Sequence, residues 1–289
     1  MIQSLKKFLV CSLGLGIAAG VLVSPAFAEI SVGLLPRLPE EQMIKMFTPL
    51  AAYLEKETGE KVKLVIPKDF QSFKGVVARG EVDYGFANPL IYVQAKKEGG
   101  ATAPLAIAAE PAGGTAFRGI LISRKGSGIQ NVSGLKGKKI IFVEPDSAAG
   151  YVAQMLMLKN AGLEKGRDYT VLPFAGKHSE VLKAVADGRA DAGGIRDGDL
   201  EIAAEAAGVA PAALQTIGTS DPIPNWAFFA TRRAKGDKSD KVLQALLRLK
   251  PGSQEASAIL GSARLTGFVK TDDQAYEPMR QAGKAAGVL

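Results

Sequence analysis

The sequence predicts an α/β protein of two similar lobes, each a mostly parallel sheet flanked by helices, with a ligand cleft between them. Two observations predict it. Apolar runs of strand length alternate with helical periodicity in the order β-α-β-α-β, the pattern of a parallel sheet with helices on its faces. The same order then recurs 108 residues further along the chain.

Ile30 to Leu35 reads as a buried strand stopped by Pro36. From Met43 the apolar spacing turns helical, with Met43, Phe47, Leu50 and Leu54 on one face and Gly59 suited to a left-handed C-cap. Val62 to Ile66 is a second strand. Phe70, Phe73 and Val77 mark a second helix ended by Gly80, and Val82 to Phe86 is a third strand stopped by Asn88-Pro89. The segment Ala78-Arg79-Gly80-Glu81-Val82-Asp83-Tyr84-Gly85 resembles Ala186-Asp187-Gly188-Arg189-Ala190-Asp191-Ala192-Gly193. That one offset carries the first strand onto Ile140 to Val143, the first helix onto Tyr151, Met155 and Leu158, and the second strand onto Thr170 to Phe174, without a gap. Gly119 to Arg124 reads as a connecting strand between the two units, and Glu201 to Gly208 as an Ala-rich helix. Ile217 to Ser220 and Ala227 to Thr231 read as strands returning the chain to the first lobe. Lys238 to Leu249 and Glu255 to Leu260 read as closing helices, with the last few residues frayed.

The first residues read as a leader rather than as part of the fold. Lys6 and Lys7 precede an uncharged apolar run from Phe8 to Val23, and Ala26-Phe27-Ala28 supplies a small-x-small site, so a Sec signal peptide cleaved after Ala28 is expected. The run is short for a membrane span and holds three glycines. Cys11 lies near its start, where no lipobox cysteine would sit. Beyond residue 28 there is no cysteine, so a large core must replace disulfides, as suits a bacterial periplasm. The organisation expected is a leader at 1–28, one lobe from 29–118 with 219–289, and the other from 119–218. Hinges are expected near Arg118-Gly119 and at Gly218 to Asp221.

In an open parallel sheet, ligands bind beyond the carboxyl ends of the strands. Here those ends are Pro36-Arg37, Lys68-Asp69-Phe70 and Ala87-Asn88-Pro89 in one unit. In the other they are Glu144 to Ser147, Gly176-Lys177-His178 and Ile195-Arg196-Asp197. Helices start after most of these loops, so backbone N–H groups and positive dipole ends would face the cleft and favour an anion. Arg37, Lys177, Arg196 and the one histidine, His178, fall in the same loops, and Ser147 offers a hydroxyl at a helix start. Asn88 ends the third strand, while Phe70 and Trp226 are candidate cleft walls. The formal net charge of +7 is spread among acidic residues without a Lys/Arg block, which suits attraction of anions and not nucleic-acid binding. Catalysis is not expected: Ser147 and His178 could meet, but no Gly-x-Ser-x-Gly elbow is present. With one histidine and no carboxylate cluster at ligand spacing, no metal or other cofactor is expected either. No glycine pair is followed by the Gly-Lys-Ser/Thr of a phosphate loop.

Val32 to Leu54, Gly80-Glu81-Val82-Asp83, Phe142-Val143-Glu144-Pro145-Asp146-Ser147, Gly176-Lys177-His178-Ser179 and Ile223-Pro224-Asn225 resemble the phosphate/phosphite/phosphonate-binding proteins of ABC transporters. The resemblance spans nearly all of the chain after the leader. It implies a type II periplasmic binding fold, capture of a small oxyanion by lobe closure, delivery to a transporter permease, and a monomer. Phosphonate binders of this family hold the oxyanion with a Ser-Thr-Ser run, where this chain has Ser147-Ala148-Ala149. Their Gly-x-His is matched by His178. A family tyrosine corresponds to Phe70 and an acidic residue to Trp226, so an aminoalkylphosphonate is not expected and the cleft should be more apolar. A binder that signals to a membrane receptor instead of a permease is the alternative reading.

Overall fold

The computed structural model describes residues 29–36 and 38–289; the expected leader, its cleavage site and Arg37 lie outside the described residues. The first unit runs β1 (Glu29–Leu34), α1 (Glu40–Thr58), β2 (Lys61–Val65), α2 (Phe70–Arg79) and β3 (Tyr84–Ala87). It continues through α3 (Pro89–Lys97) and β4 (Ala101–Ala109) to the two-residue β5 (Ala116–Phe117). The second unit is β6 (Gly119–Arg124), β7 (Lys139–Ile141), α4 (Ala153–Asn160), β8 (Thr170–Val171), α5 (His178–Ala186), β9 (Ala192–Arg196), α6 (Leu200–Ala207) and β10 (Leu214–Thr219). The chain returns through β11 (Ile223–Pro224) and β12 (Ala227–Thr231). It ends with α7 (Gly236–Arg248), α8 (Gln254–Ser262), β13 (Gly267–Lys270) and α9 (Glu277–Ala286).

Two large sheets result, one for each lobe, with β5 and β11 forming a separate two-stranded pair. The first is six-stranded in the order β13-β4-β12-β3-β1-β2, and the second five-stranded in the order β10-β6-β9-β7-β8. In each, the repeated unit supplies three parallel strands, β3-β1-β2 and β9-β7-β8, flanked by an antiparallel neighbour, β12 or β6. β1 is covered on both faces, which is why it reads as a continuous apolar run. Met43, Phe47, Leu50 and Leu54 of α1 are all buried against that sheet.

The repeated motif has a structural explanation. The Ser31 amide and hydroxyl both donate to Asp83, at 2.8 and 2.6 Å, while the Asp83 amide donates back to the Ser31 carbonyl. At the same offset the Lys139 amide donates to Asp191 at 2.8 Å, and the Asp191 amide returns to the Lys139 carbonyl. Each aspartate thus pins the start of one central strand to the strand beside it. The glycine two residues on serves close packing: a Cβ at Gly85 would lie 2.2 Å from the Phe229 ring, and one at Gly193 2.4 Å from Val181.

The two crossings between the sheets run side by side. β5 and β11 pair antiparallel, and Ser220 exchanges hydrogen bonds with Gly119 across the crossings. Arg118 donates to the Ser220 carbonyl at 2.6 Å.

Three expectations are corrected here. Residues 217–219 do not return to the first lobe; they belong to β10, the edge of the second sheet, and the return starts after Thr219. Gly119–Arg124 is not a bare connection, since β6 lies between β9 and β10. The last residues are not frayed: Met279 and Ala282 of α9 are buried, the Val288 amide bonds the Gly283 carbonyl, and α9 packs against both α3 and α4.

Candidate ligand-binding site

The carboxyl ends of β1, β2 and β3 face those of β7, β8 and β9 across a cleft of about 460 Å³. Phe70, Asn88 and Trp226 line it from the first lobe. Ser147, Ala148, Ala149, Lys177, His178 and Arg196 line it from the second. Arg37 lies outside the described residues, although its neighbours Pro36 and Leu38 are in the wall.

The Ser147 segment is not the start of an ordinary α-helix. Ala148 to Val152 form one π turn, closed by the Val152 amide on the Ser147 carbonyl at 3.0 Å. A turn that closes five residues back leaves one more N–H without an internal acceptor than an α turn does. Ser147 Oγ accepts one of them, from Gly150, at 3.0 Å. The amides of Ala148 and Ala149 head the turn on the cleft wall, and the Ser147 hydroxyl proton stays available to an acceptor. Gln154 supports the wide turn from inside: its amide nitrogen donates to the carbonyls of Ala149, Ile195 and Ile120 at 2.6, 2.9 and 3.1 Å.

His178 is the first residue of α5. Its Nδ1 accepts from the Arg196 amide at 3.4 Å, and its Nε2 lies 3.7 Å from Asp199. Burial pushes its pKa below the ordinary value; Asp199 opposes that shift and the Arg196 charge adds to it. The ring is therefore neutral at neutral pH. With Nδ1 accepting, the proton sits on Nε2, which can donate to an anion.

Arg196 is placed differently from the free fork expected. Its guanidinium pairs with Glu110 and stacks 4.5 Å from the Phe117 ring centroid, both on the segment that crosses between lobes. The two charged side chains are 16% and 11% exposed; Glu110 takes Nη2, and Nε is buried with no hydrogen-bond partner among the described residues. Asn88 is also committed: Oδ1 caps α3 by accepting from Ile91 at 2.9 Å, and Nδ2 reaches the Asp146 carbonyl at 3.5 Å. Lys177 is exposed at the N-cap of α5. Trp226 is buried against Phe86, with ring centroids 5.3 Å apart, and serves wall and core together.

The structure adds residues that sequence reasoning missed. Glu144, in a loop already recognised but not among the candidates, faces the cleft, and burial together with Asp146 raises its carboxyl pKa. Asp199 lies two residues beyond Asp197, in a loop already recognised. Ile202, Ala203 and Ala206 form an apolar stripe of α6, and Ile202 is 61% exposed there. Arg264 comes from the C-terminal part of the chain, which has no counterpart in the repeat and so carried no positional signal. The site can thus present amide, hydroxyl and imidazole donors at one end and an apolar wall along its side. Among the described residues no cluster of His, Cys, Asp and Glu could hold a metal, and no helix is long and apolar enough to cross a membrane.

Residues 32–276 match the family model described as the phosphonate periplasmic substrate-binding protein of ABC transporters. The phosphate-import protein PhnD of Mycolicibacterium smegmatis is 27% identical, over 89% of this chain and 86% of its own. Among solved structures, XAC2383 of Xanthomonas citri bound to chloride superposes with a TM-score of 0.78 at 17% identity, covering 90% of this chain and 97% of that one. PhnD1 of Prochlorococcus marinus in complex with methylphosphonate gives 0.70 at 18% identity, covering 90% and 99%. At these identities the structural matches speak for the fold, a two-lobed periplasmic binding fold.

Proposed function

The chain belongs to the phosphonate periplasmic substrate-binding proteins of ABC transporters, and from that premise we propose that it captures an oxyanion of the phosphonate, phosphite or phosphate type at the Ser147 turn. The observation that carries this reading is the convergence, on one wall, of the Ala148 and Ala149 amides, the Ser147 hydroxyl and a neutral His178. Charged hydrogen bonds contribute about 1.5–3 kcal/mol each, so these donors suffice for tight capture without the two hydroxyls that Ala148 and Ala149 replace.

In this reading the anion seats first on the second lobe, and closure brings Phe70 and Trp226 over it. Closure shifts a pre-existing open–closed equilibrium, with bending at the paired crossings around Arg118-Gly119 and Ser220. The lobes are taken as 29–118 with 220–289, and 119–219, the boundary set by the end of β10. Residues 1–28 act as a Sec leader removed after Ala28, the mature protein works as a monomer in the periplasm, and it performs no catalysis. Arg196 holds the crossing segment through Glu110 and touches the ligand with what remains of its fork. Arg37 is kept as a candidate contact.

A thermal-shift series with the protein from Glu29 onward tests this. Phosphate, phosphite, methylphosphonate, sulfate, aliphatic sulfonates and small carboxylates would be compared, since native-state binding raises Tm by mass action. A shift with a phosphorus oxyanion, lost in a Ser147→Pro variant, is expected. A shift only with another anion class would overturn the ligand assignment.

A further inference from the structure

We propose that Arg264 is a ligand-contacting residue that reads the oxyanion from the first lobe, a role that rests on the anion-binding reading above. Three observations carry it. Arg264 lines the cleft and is exposed there. Among the described residues it is the one non-glycine with a positive φ, at 58°. No described carboxylate is ion-paired with it, whereas Arg196 is held by Glu110.

The backbone observation is the most telling. Arg264 follows Ala263, the C-cap of α8, and its amide bonds the Gly261 carbonyl at 3.0 Å while the Leu265 amide bonds Leu260 at 2.8 Å. This is the left-handed residue that closes a helix, where a Cβ is unfavourable and glycine is usual. The same protein uses glycine for left-handed C-caps at α1, α2, α6 and α9, with Gly59, Gly80, Gly208 and Gly287. At the helix end beside the cleft it places an arginine instead. Strained left-handed residues of this kind gather at ligand clamps, where the side chain is what the strain secures.

The chemistry fits an oxyanion. Phe70 and Trp226 make the first lobe's wall apolar, and Asn88 is spent on capping α3. An anion seated on the Ser147 turn would therefore meet a cation across the cleft at Arg264. A guanidinium offers paired N–H groups to two oxygens of one tetrahedral anion, which a lysine cannot match. Contact from the first lobe would also couple affinity to closure.

The test compares wild type, Arg264→Gly and Arg264→Lys by isothermal titration with phosphate, phosphite and methylphosphonate, alongside Tm without ligand. Arg264→Gly relieves the backbone, so its ligand-free Tm should equal or exceed that of wild type while affinity for the bound probe falls at least tenfold. Arg264→Lys should fall between the two. Wild-type affinity in Arg264→Gly would overturn the assignment, and so would a lowered ligand-free Tm, which would make the residue structural. If wild type binds none of the three probes, the oxyanion reading fails and this inference fails with it.

Discussion

Replacing Asp146 by alanine should loosen the grip of one lobe on the other. Asp146 sits in the loop just before the Ser147 turn, and its carboxylate reaches across to the first lobe. Lys74 of α2 meets one oxygen at 3.3 Å, and the Gln94 amide of α3 meets the other at 3.3 Å. Lys74 also donates to Gln94 at 3.4 Å, which closes the triangle. The Lys74 and Asp146 side chains are only 13% and 20% exposed, so this pair is much less screened than a surface pair. The contacts are longer than the best charge-assisted bonds and the pair is not fully buried, which places the loss below the range for breaking a buried pair, at about 2 kcal/mol. If the triangle forms only when the lobes are closed, that loss moves wholly into the closure equilibrium. We predict a rise in Kd for the oxyanion of up to roughly 30-fold, since ~1.4 kcal/mol is tenfold. Small-angle scattering should show a larger ligand-free radius of gyration, with little change in denaturant midpoint. Lys74→Met should reproduce the effect, and a double-mutant cycle should show the two to be coupled. An unchanged Kd combined with a lower midpoint would refute the reasoning, because the triangle would then be a permanent weld and not a latch.

Three further outcomes can be checked. His178 has a folded pKa below its unfolded one, so protons bind preferentially to the unfolded chain as pH falls below the unfolded value near 6.5. Tm should therefore be flat above that pH and decline below it until the folded pKa is passed, and His178→Gln should abolish that part of the decline. Gly150→Ala would place a Cβ 2.5 Å from Val143 Cγ2 and 2.7 Å from Ser147 Oγ. It should cost about 1–3 kcal/mol in urea unfolding and weaken the anion as well, because the cap that shapes the turn is displaced. Arg196→Ala leaves the Glu110 carboxylate without its partner in a largely buried place. It should lower stability by roughly 2–3 kcal/mol, and adding Glu110→Gln should recover part of that; full stability in Arg196→Ala would show the pair to be idle.

The parts of the fold that could be read in advance are those whose period is clean. α1 and α2 each expose one face and bury the other, and β1 to β3 are bounded by proline, glycine or asparagine. The single offset then places β7 and the start of β8, and it carries the first helix onto the π turn and α4. α3 was not legible because it is buried along its whole length from Pro89 to Ala95, so it has no polar face to mark its period. β4 was hidden by its alanines and by Pro104, which lies beside a register shift in the pairing with β12. β13, four residues long with only its first two buried, and α9 went unread. The site followed the same division. Every described candidate lines the cleft, since the carboxyl ends of strands are readable, but what each side chain is already bonded to is not. Asn88 and Arg196 are committed through Asp146, Glu110 and Phe117, and those partners are distant in sequence from the loops they serve.

The order of strands in the first sheet bears on how the chain comes together. β12 lies between β3 and β4, and β13 closes the far edge. The second sheet is complete once residue 219 exists, all its strands coming from one continuous stretch. The first cannot be: until Ala227–Thr231 arrives, β3 and β4 each present an open edge with unpaired backbone groups. The later lobe in sequence is therefore the earlier one able to finish. The lobe that starts at Glu29 stays open at that edge until Ala227–Thr231 is made, after the other lobe's sheet has every strand it needs.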